Sequence, residues 1–318
     1  MFQTPILFII YKNPEVTKVV FERIREIKPA FLYISADGSK SSNQEDLLEI
    51  EETRKVTEFI DWDCKVYRRY SNTNLGCKIG VSTAITWFFE NVEQGIILEY
   101  DCLPDITFFN FCEVLLERYR DIENVFSISG NNFDFLSLNE LNQIGLRDSY
   151  SYSFLSKIWG WATWRRAWNK FDISLTKFPE FESEGKIREL IKGKRNQEYW
   201  LGKIKDVYQG RNTSTWGFIW LFTLLSHKAY CITPKVNLVS NIGFGIGATH
   251  ATDENSIFSK VPNSSISIID YPELIVPDFD SDYRFSEYLY KSENKNSLRN
   301  IVKKNIPDWA INFYRKWK

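Results

Sequence analysis

Hydrophobic and polar positions along the first 130 residues follow two periods. Short runs rich in β-branched and aromatic residues are typical of buried strands. Between these runs, apolar residues recur every three or four positions, which indicates amphipathic helices. The first helix follows Pro14, since proline is well tolerated in a first turn. The pattern predicts strands at 5–11, 31–36, 65–67, 95–100 and 125–129, and helices starting at 14 and covering 43–60, 79–91 and 105–119.

The order of these elements predicts the fold class. Strands that alternate with helices of this length are joined by right-handed crossovers, so they lie parallel in one sheet that helices cover on both faces. We therefore expect an α/β protein with a mostly parallel, Rossmann-like sheet. After about Gly130 the pattern changes to polar loops, tryptophan-rich segments and a charged helical stretch near 182–209. We expect this second half to wrap one edge of the sheet and to shape a substrate cleft.

Composition and charge narrow the function classes. The chain has 318 residues, and 43% hydrophobic with 25% charged residues is ordinary for a globular protein. Since 40 basic residues stand against 41 acidic ones, no overall positive field favours nucleic acid as a partner. The five cysteines show no CxxC spacing, and the N-terminus shows no signal-peptide pattern. These features predict a cytoplasmic protein.

The C-terminal tail at 295–318 has a composition of its own. Its basic residues stand against Asp308 alone and are interleaved with apolar residues such as Trp309 and Trp317. Such a segment suits contact with an anionic membrane surface. Docking of the tail on its own domain is an equally good interpretation. The first interpretation predicts association with the inner face of the plasma membrane.

Candidate binding residues stand where the predicted strands end. In an open parallel sheet the ligand lies beyond the carboxyl ends of the strands. Asp37 by itself is typical of a turn, because Gly38 follows it. Its position beside other polar strand ends favours ligand binding instead. The polar side chains at the first three strand ends include Tyr11, Lys12, Asn13, Asp37 and Arg69.

The fourth strand ends in two carboxylates. Glu99 and Asp101 are separated by one residue, so in an extended chain both point to the same side and can meet one cation. Carboxylates that follow a buried strand are costly unless a cation meets them. One or two carboxylates and a substrate diphosphate are the usual ligands of Mg²⁺ or Mn²⁺. We expect such a metal site here, although solvated loops also carry this spacing.

Two later segments carry further candidates. Trp159 and Gly160 precede three tryptophans that share one face of an expected helix. Core packing explains that face, whereas the preceding pair is a candidate platform for a sugar. The glycines at 243–247 lie too late in the chain for a dinucleotide-binding motif. As a flexible loop they would close over a diphosphate and bring His250 to the metal; a hydrogen-bonded loop histidine is an equally good interpretation.

In order and spacing, these segments resemble the GT-A glycosyltransferases, in particular bacterial proteins akin to N-acetylglucosaminyltransferase I. The resemblance runs from about residue 4 to 255 and includes Glu99-Tyr100-Asp101 and Trp159-Gly160-Trp161. It implies a GT-A domain at 1–255 with a C-terminal extension at 256–318. The donor-binding half would be 1–130 and the acceptor-side half 131–255. The other segments that carry the resemblance are 4–15, 34–38, 74–77, 97–104 with Phe108 and Phe109, 216–220 and 234–250.

The resemblance implies an enzyme of the hexosyltransferase class. It would be metal-dependent and would move a sugar from a nucleoside diphosphate donor, with UDP expected, to a glycan or lipid-linked acceptor with inversion. Asp101 matches the last acid of the family's Glu-Asp-Asp motif and would bind the Mn²⁺ or Mg²⁺ ion. The candidate second ligand, His250, comes from the interpretation of the glycine-rich loop. Asp37 and the segment 11–13 would contact the base and ribose. The other donor-binding residues would be Arg69, Glu99, Tyr100, Trp159, Gly160 and Trp161.

Two positions depart from the family pattern. Tyr100 replaces the middle acid of the motif, which puts contact between that side chain and the donor ribose in doubt but spares the metal ligand. Gly217 stands where the family has the aspartate that deprotonates the acceptor hydroxyl. Either another carboxylate, Glu198 or Asp206, supplies the base, or activity is weak or altered. The alternative function is a catalytically weakened nucleotide-sugar or glycan binding protein of the same fold.

Overall fold

The computed structural model describes residues 1–40, 43–133, 149–244 and 261–305. The strands are β1 Ile6–Ile10, β2 Phe31–Ala36, β3 Lys65–Tyr70, β4 Gln94–Glu99, β5 Cys102–Pro104, β6 Val125–Ser129, β7 Tyr150–Ser153, β8 Trp161–Trp164, β9 Tyr230–Pro234 and β10 Val239–Asn241. The helices are α1 Pro14–Ile27, α2 Gln44–Lys55, α3 Gly76–Asn91, α4 Ile106–Arg118, α5 Arg165–Trp168, α6 Phe178–Ser183, α7 Ile187–Leu190, α8 Lys194–Tyr208, α9 Gly217–Ser226 and α10 Phe279–Asn305.

Eight strands form one sheet in the order β3-β2-β1-β4-β8-β6-β9-β7. The first four are mutually parallel. Strand β8 runs antiparallel to both β4 and β6, β9 is parallel to β6, and β7 is antiparallel to β9. All strands of this sheet except β7 and β8 therefore point the same way. The expected α/β class with a mostly parallel sheet is confirmed, and the arrangement is consistent with a GT-A-like, Rossmann-type fold.

The central strand β1 is buried on both faces of the sheet. Alternate residues of β1 pack into two separate hydrophobic cores. Ile6, Phe8 and Ile10 contact the core formed with α1 and α4, whereas Leu7 and Ile9 contact the core formed with α3 and α9. This burial on two faces explains why the strand is an uninterrupted apolar run rather than an alternating one. Because a hydrophobic core covers each face, polar groups lie at the carboxyl ends of the central strands.

The second half of the chain does not wrap an edge of the sheet as expected. Strand β8 is inserted between β4 and β6. The expected helical face of Trp161, Trp164 and Trp168 is also wrong, because 161–164 is extended. Trp161 and Trp164 pack on opposite faces of the sheet, and only the short α5 is helical. A spacing of three mimicked a helical period, but aromatic residues also favour strands, and β4 and β6 supply backbone partners on both sides.

The charged stretch predicted as one helix forms α6, α7 and α8, which pack with α9 in a third core. The start of α10 joins this core through Phe285, and Trp200 Nε1 donates a 2.9 Å hydrogen bond to Ser286 Oγ. Among the described residues, no helix combines the length and the apolar character needed to cross a bilayer. The proposed boundary at residue 255 and the tail from 306 lie outside the described residues, so domain division and membrane contact stay predictions.

Candidate functional site

A cavity of about 700 Å³ lies at the carboxyl ends of β1, β2 and β4. The parallel register places Glu99 beside Ile9, which lies beside Ser35 of the next strand. The first half of the chain contributes these strand ends and the start of α3, and the second half contributes 158–159, 213–217, Asn241 and Phe244. The predicted residues that line the cavity are Tyr11, Asp37, Arg69, Glu99, Tyr100, Asp101 and Trp159.

The environment of Glu99 disfavours the charged form of its carboxyl group. Burial raises the pKa of Glu99 to about 8, and the nearby charge of Asp101 adds to the shift. The side chain is part-buried, and within the part of the chain that the structure describes no donor forms a hydrogen bond with its carboxylate. Two carboxylates placed together in this way favour a bound cation.

Asp101 is held by residues 241–243, a segment from the second half of the chain. Strands β5 and β10 form a separate two-stranded sheet in which Asn241 pairs with Cys102. Beyond that pair, the Ile242 N–H donates a 2.8 Å hydrogen bond to the Asp101 carbonyl. A Cβ atom on Gly243 would lie 2.6 Å from Asp101 Oδ2, closer than real contacts allow. Glycine therefore lets this segment lie directly on the carboxylate.

The carboxylates fit a divalent cation as an incomplete ligand set. Across residues 1–40, 43–133, 149–244 and 261–305, no group of three or more His, Cys, Asp or Glu side chains could hold a metal ion. Glu99 and Asp101 would thus supply two oxygen ligands, and a substrate or water would supply the rest, as is common for Mg²⁺. His250, the other predicted ligand, lies outside the described residues.

Cationic side chains also line the cavity. Arg69 Nη2 donates a 3.1 Å hydrogen bond to Thr83 Oγ1. Lys40, which follows β2, and Lys78 of α3 also line the cavity. Sequence reasoning missed both lysines; Lys78 immediately precedes the helix predicted at 79–91 and lies in the first turn of the observed α3. Burial raises the pKa of the Cys77 thiol to about 12, with Glu99 and Asp101 adding to the shift. This thiol stays protonated at neutral pH, so it does not act as a thiolate nucleophile.

Lys12 and Asn13 form a turn beside the cavity without lining it. Both have a left-handed backbone, with φ of 44° and 60°. The Lys12 ammonium pairs with Asp46 and lies 3.5 Å from Glu49 Oε2. Asn13 caps α1 by accepting a 3.1 Å hydrogen bond from the Val16 N–H. In the structure these side chains hold the β1–α1 connection to α2 and α1, and Tyr11 is the member of the segment that reaches the cavity.

Within the segment 159–161, only Trp159 lines the cavity. Its ring lies edge-on to Phe133 and Phe244, at centroid distances of 4.8 and 5.9 Å. Gly160 lies at a φ of 61°, and a Cβ atom there would meet Val239. Trp161 is fully buried and stacks on Trp216 at 5.6 Å. The platform expected at this segment is therefore limited to one ring.

The position expected to carry a base holds no carboxylate, and the Ile158 side chain lies against it. Gly217 begins α9 and lines the cavity, and a Cβ atom there would lie 2.8 Å from Ile158 Cδ1. The substitutes considered from the sequence, Glu198 and Asp206, are on α8 and do not line the cavity. Glu198 lies 3.9 Å from the Lys194 ammonium, and Asp206 accepts hydrogen bonds from Arg211. The structure brings neither of them to Glu99 and Asp101.

Comparisons with known proteins give low similarity. No family model matches the chain, and no curated protein matches it. The solved structure of HddC from Yersinia pseudotuberculosis aligns with a TM-score of 0.29 and 8% identity, covering 51% of this chain and 77% of that one. Mouse xyloside xylosyltransferase 1 in its apo form aligns with a TM-score of 0.35 and 10% identity, covering 71% and 82%. Alignments this weak assign no activity to the chain.

Proposed function

We propose that this chain is a glycosyltransferase that binds a nucleoside diphosphate sugar, with a UDP-sugar expected, in the cavity beyond β4. It would transfer the sugar to a hydroxyl group of a glycan or lipid-linked acceptor, with inversion. The observation that carries the proposal is the pair Glu99 and Asp101. Both line a cavity large enough for a small-molecule ligand, and Glu99 is left without a donor among the described residues.

The other residues that line the cavity support an anionic, partly aromatic ligand. Asp101, with Glu99 in support, would hold Mn²⁺ or Mg²⁺, which when bound neutralises the charge of a leaving diphosphate. Arg69 and Lys78 add positive charge for the phosphates. Tyr11 and Trp159 offer aromatic faces to a base or a sugar.

A second candidate is a protein that binds nucleotide sugars or glycans on the same fold with weakened catalysis. Gly217 favours it, because this position holds no carboxylate and Ile158 fills the space beside it. Glu198 and Asp206 favour it as well, because both lie on α8 away from the cavity and form ion pairs, with Lys194 and Arg211 respectively. The transferase and a nucleotide-sugar binding protein both require donor binding and differ in turnover, whereas a glycan-binding protein does not require it.

A thermal-unfolding screen tests donor binding first. Nucleoside diphosphates and their sugar conjugates are added with Mn²⁺ or with a chelator. At a ligand concentration roughly 100-fold above Kd, binding raises the unfolding temperature by about 4 °C. We expect UDP compounds to do so only with the metal. If every nucleotide leaves the unfolding temperature unchanged under both conditions, the transferase and the nucleotide-sugar binding protein are both wrong.

Turnover then separates the candidates. The best donor from the screen is incubated with the chain and Mn²⁺, and release of UDP is followed. The transferase predicts release that stops on chelation, whereas the binding protein predicts tight binding without release. Gly217→Asp is the informative variant: a gain in release would identify this position as the site of a lost base. Ile158→Ala combined with Gly217→Asp makes room for the new carboxylate.

A further inference from the structure

Asp37 stands at the carboxyl end of β2, where a side chain that contacts the ligand is expected, yet the protein itself occupies its carboxylate. Oδ1 accepts hydrogen bonds of 2.8 Å from the N–H groups of Gly38 and Leu75. Oδ2 accepts from the Gly76 N–H at 3.0 Å and from Asn74 Nδ2 at 3.1 Å. The Leu75 N–H also lies 3.1 Å from Oδ2.

These contacts use the acceptor capacity of the side chain. A carboxylate offers about four lone-pair sites, and Asp37 receives donors from four residues. A ribose hydroxyl or a base N–H would have to displace one of them. Displacing the N–H of Gly38, Leu75 or Gly76 would leave a backbone donor without its partner, which costs about as much as the new bond contributes. Asn74 Nδ2 is the exception, because it also donates to the Gly38 carbonyl at 2.8 Å.

The contacts fix the segment 74–76 in place. Leu75 immediately precedes α3 and has no polar side chain with which to cap the helix, so the Asp37 carboxylate performs the capping from β2. Its negative charge also suits the positive end of the helix dipole. Gly38 supports the same arrangement, because a Cβ atom there would lie 2.6 Å from the Thr73 carbonyl carbon. The segment therefore rests on the Asp37-Gly38 pair.

We propose that Asp37 is a positioning residue of the nucleotide site and does not contact the ligand. It holds Asn74, Leu75 and Gly76, which form a wall of the cavity together with Ser71 and Cys77. The proposal rests on the proposed function only in identifying the ligand as a nucleotide. The hydrogen bonds between the Asp37 carboxylate and this wall do not depend on any ligand.

Amide hydrogen exchange of the ligand-free chain tests the hold. In Asp37→Ala, we expect the amides of Leu75 and Gly76 to exchange faster by about tenfold or more, with Asp37→Asn in between. The amide of buried Ala84, two turns into α3, is the internal control and keeps its rate. Unchanged exchange at Leu75 and Gly76 would overturn the proposal. Should Asp37→Ala fail to fold, Asn74→Ala removes one donor and predicts a smaller increase.

Titration with UDP, 2′-deoxy-UDP and CDP in the presence of Mn²⁺ tests the absence of direct contact. A positioning role predicts that Asp37→Asn weakens all three ligands by the same factor, about tenfold, because the wall is displaced for each. A larger loss for UDP than for 2′-deoxy-UDP or CDP would show direct contact with the ribose or base and overturn the proposal. If the unsubstituted chain binds none of them, the proposed function is wrong, while the exchange measurement still decides the hold on the wall.

Discussion

At the scale of single residues, the position of the Asp101 carboxylate depends on a glycine. Gly243 lets the segment after β10 lie on the Asp101 side chain, and any Cβ atom would meet Oδ2 at 2.6 Å. A long-range backbone contact of this kind leaves no periodic signal. The sequence analysis singled out the glycines at 243–247 as a flexible loop and did not connect Gly243 with Asp101.

We predict that Gly243→Ala displaces the Asp101 carboxylate and weakens Mn²⁺-dependent UDP binding by about tenfold or more, as loss of a supporting contact to a metal ligand typically does. Calorimetric titration measures the effect. Gly202→Ala is the matched control, because a Cβ atom there meets nothing within 4 Å and its position inside α8 favours alanine. Equal binding by Gly243→Ala and Gly202→Ala would contradict the role given to Gly243.

The carboxylates could be predicted from the sequence, but their surroundings could not. An apolar strand that ends in Glu99 and Asp101 is visible in the sequence, and the parallel sheet then places both at one edge. The same reasoning placed Lys12 and Asn13 on the ligand, whereas the structure uses them to pair with α2 and to cap α1. A polar strand end shows where a side chain begins, but not which partner it meets.

At the scale of elements, the C-terminal helix α10 is anchored by one buried carboxyl group. Asp282, in its first turn, accepts hydrogen bonds from the Ser153 hydroxyl and from the Phe154 N–H at 2.9 Å. Burial raises the pKa of Asp282 to about 6, and the ammonium of buried Lys157 partly offsets the shift. The charged carboxylate is thus harder to accommodate in the folded chain than in the unfolded chain.

This shift predicts a pH dependence of stability. Between the unfolded pKa near 3.9 and the folded pKa of about 6, the folded chain binds more protons, so stability falls as pH rises through this window. Asp282→Asn removes this dependence. Relative to the unsubstituted chain, the variant should gain roughly 3 kcal/mol between pH 3.5 and 7, measured by urea unfolding. A constant difference across this pH range would contradict the assignment.

The elements of the first half follow from local pattern, and several of the second half do not. Strands β2 and β6 have the predicted bounds, because each is an apolar run between clear breaks. Strand β8 was predicted as a helix, and β5, β7, β9 and β10 were not predicted. These are strands of three to five residues whose pairing partners lie far away in sequence. Short segments carry too few residues to show a period.

At the scale of the whole molecule, the cavity is a joint product of both halves. The first half supplies the strand ends, and insertion of β8 between β4 and β6 brings Trp159 to the same edge. Pairing of β5 with β10 then brings Asn241 and Phe244 over Asp101. The fold class was predictable because it depends on local alternation, whereas the cavity depends on these two long-range pairings. Binding of a nucleotide should therefore stabilise the whole chain.

The most direct test of the central claim is calorimetric titration of UDP with Mn²⁺ into the chain and two acid-to-amide variants. Asp101→Asn preserves shape and removes the charge that holds the cation, so we predict binding reduced by about 100-fold or to below detection. Asp206→Asn, which alters an exposed acid on α8, should bind like the unsubstituted chain. UDP binding that is unchanged in Asp101→Asn would contradict a metal-dependent nucleotide site at the end of β4.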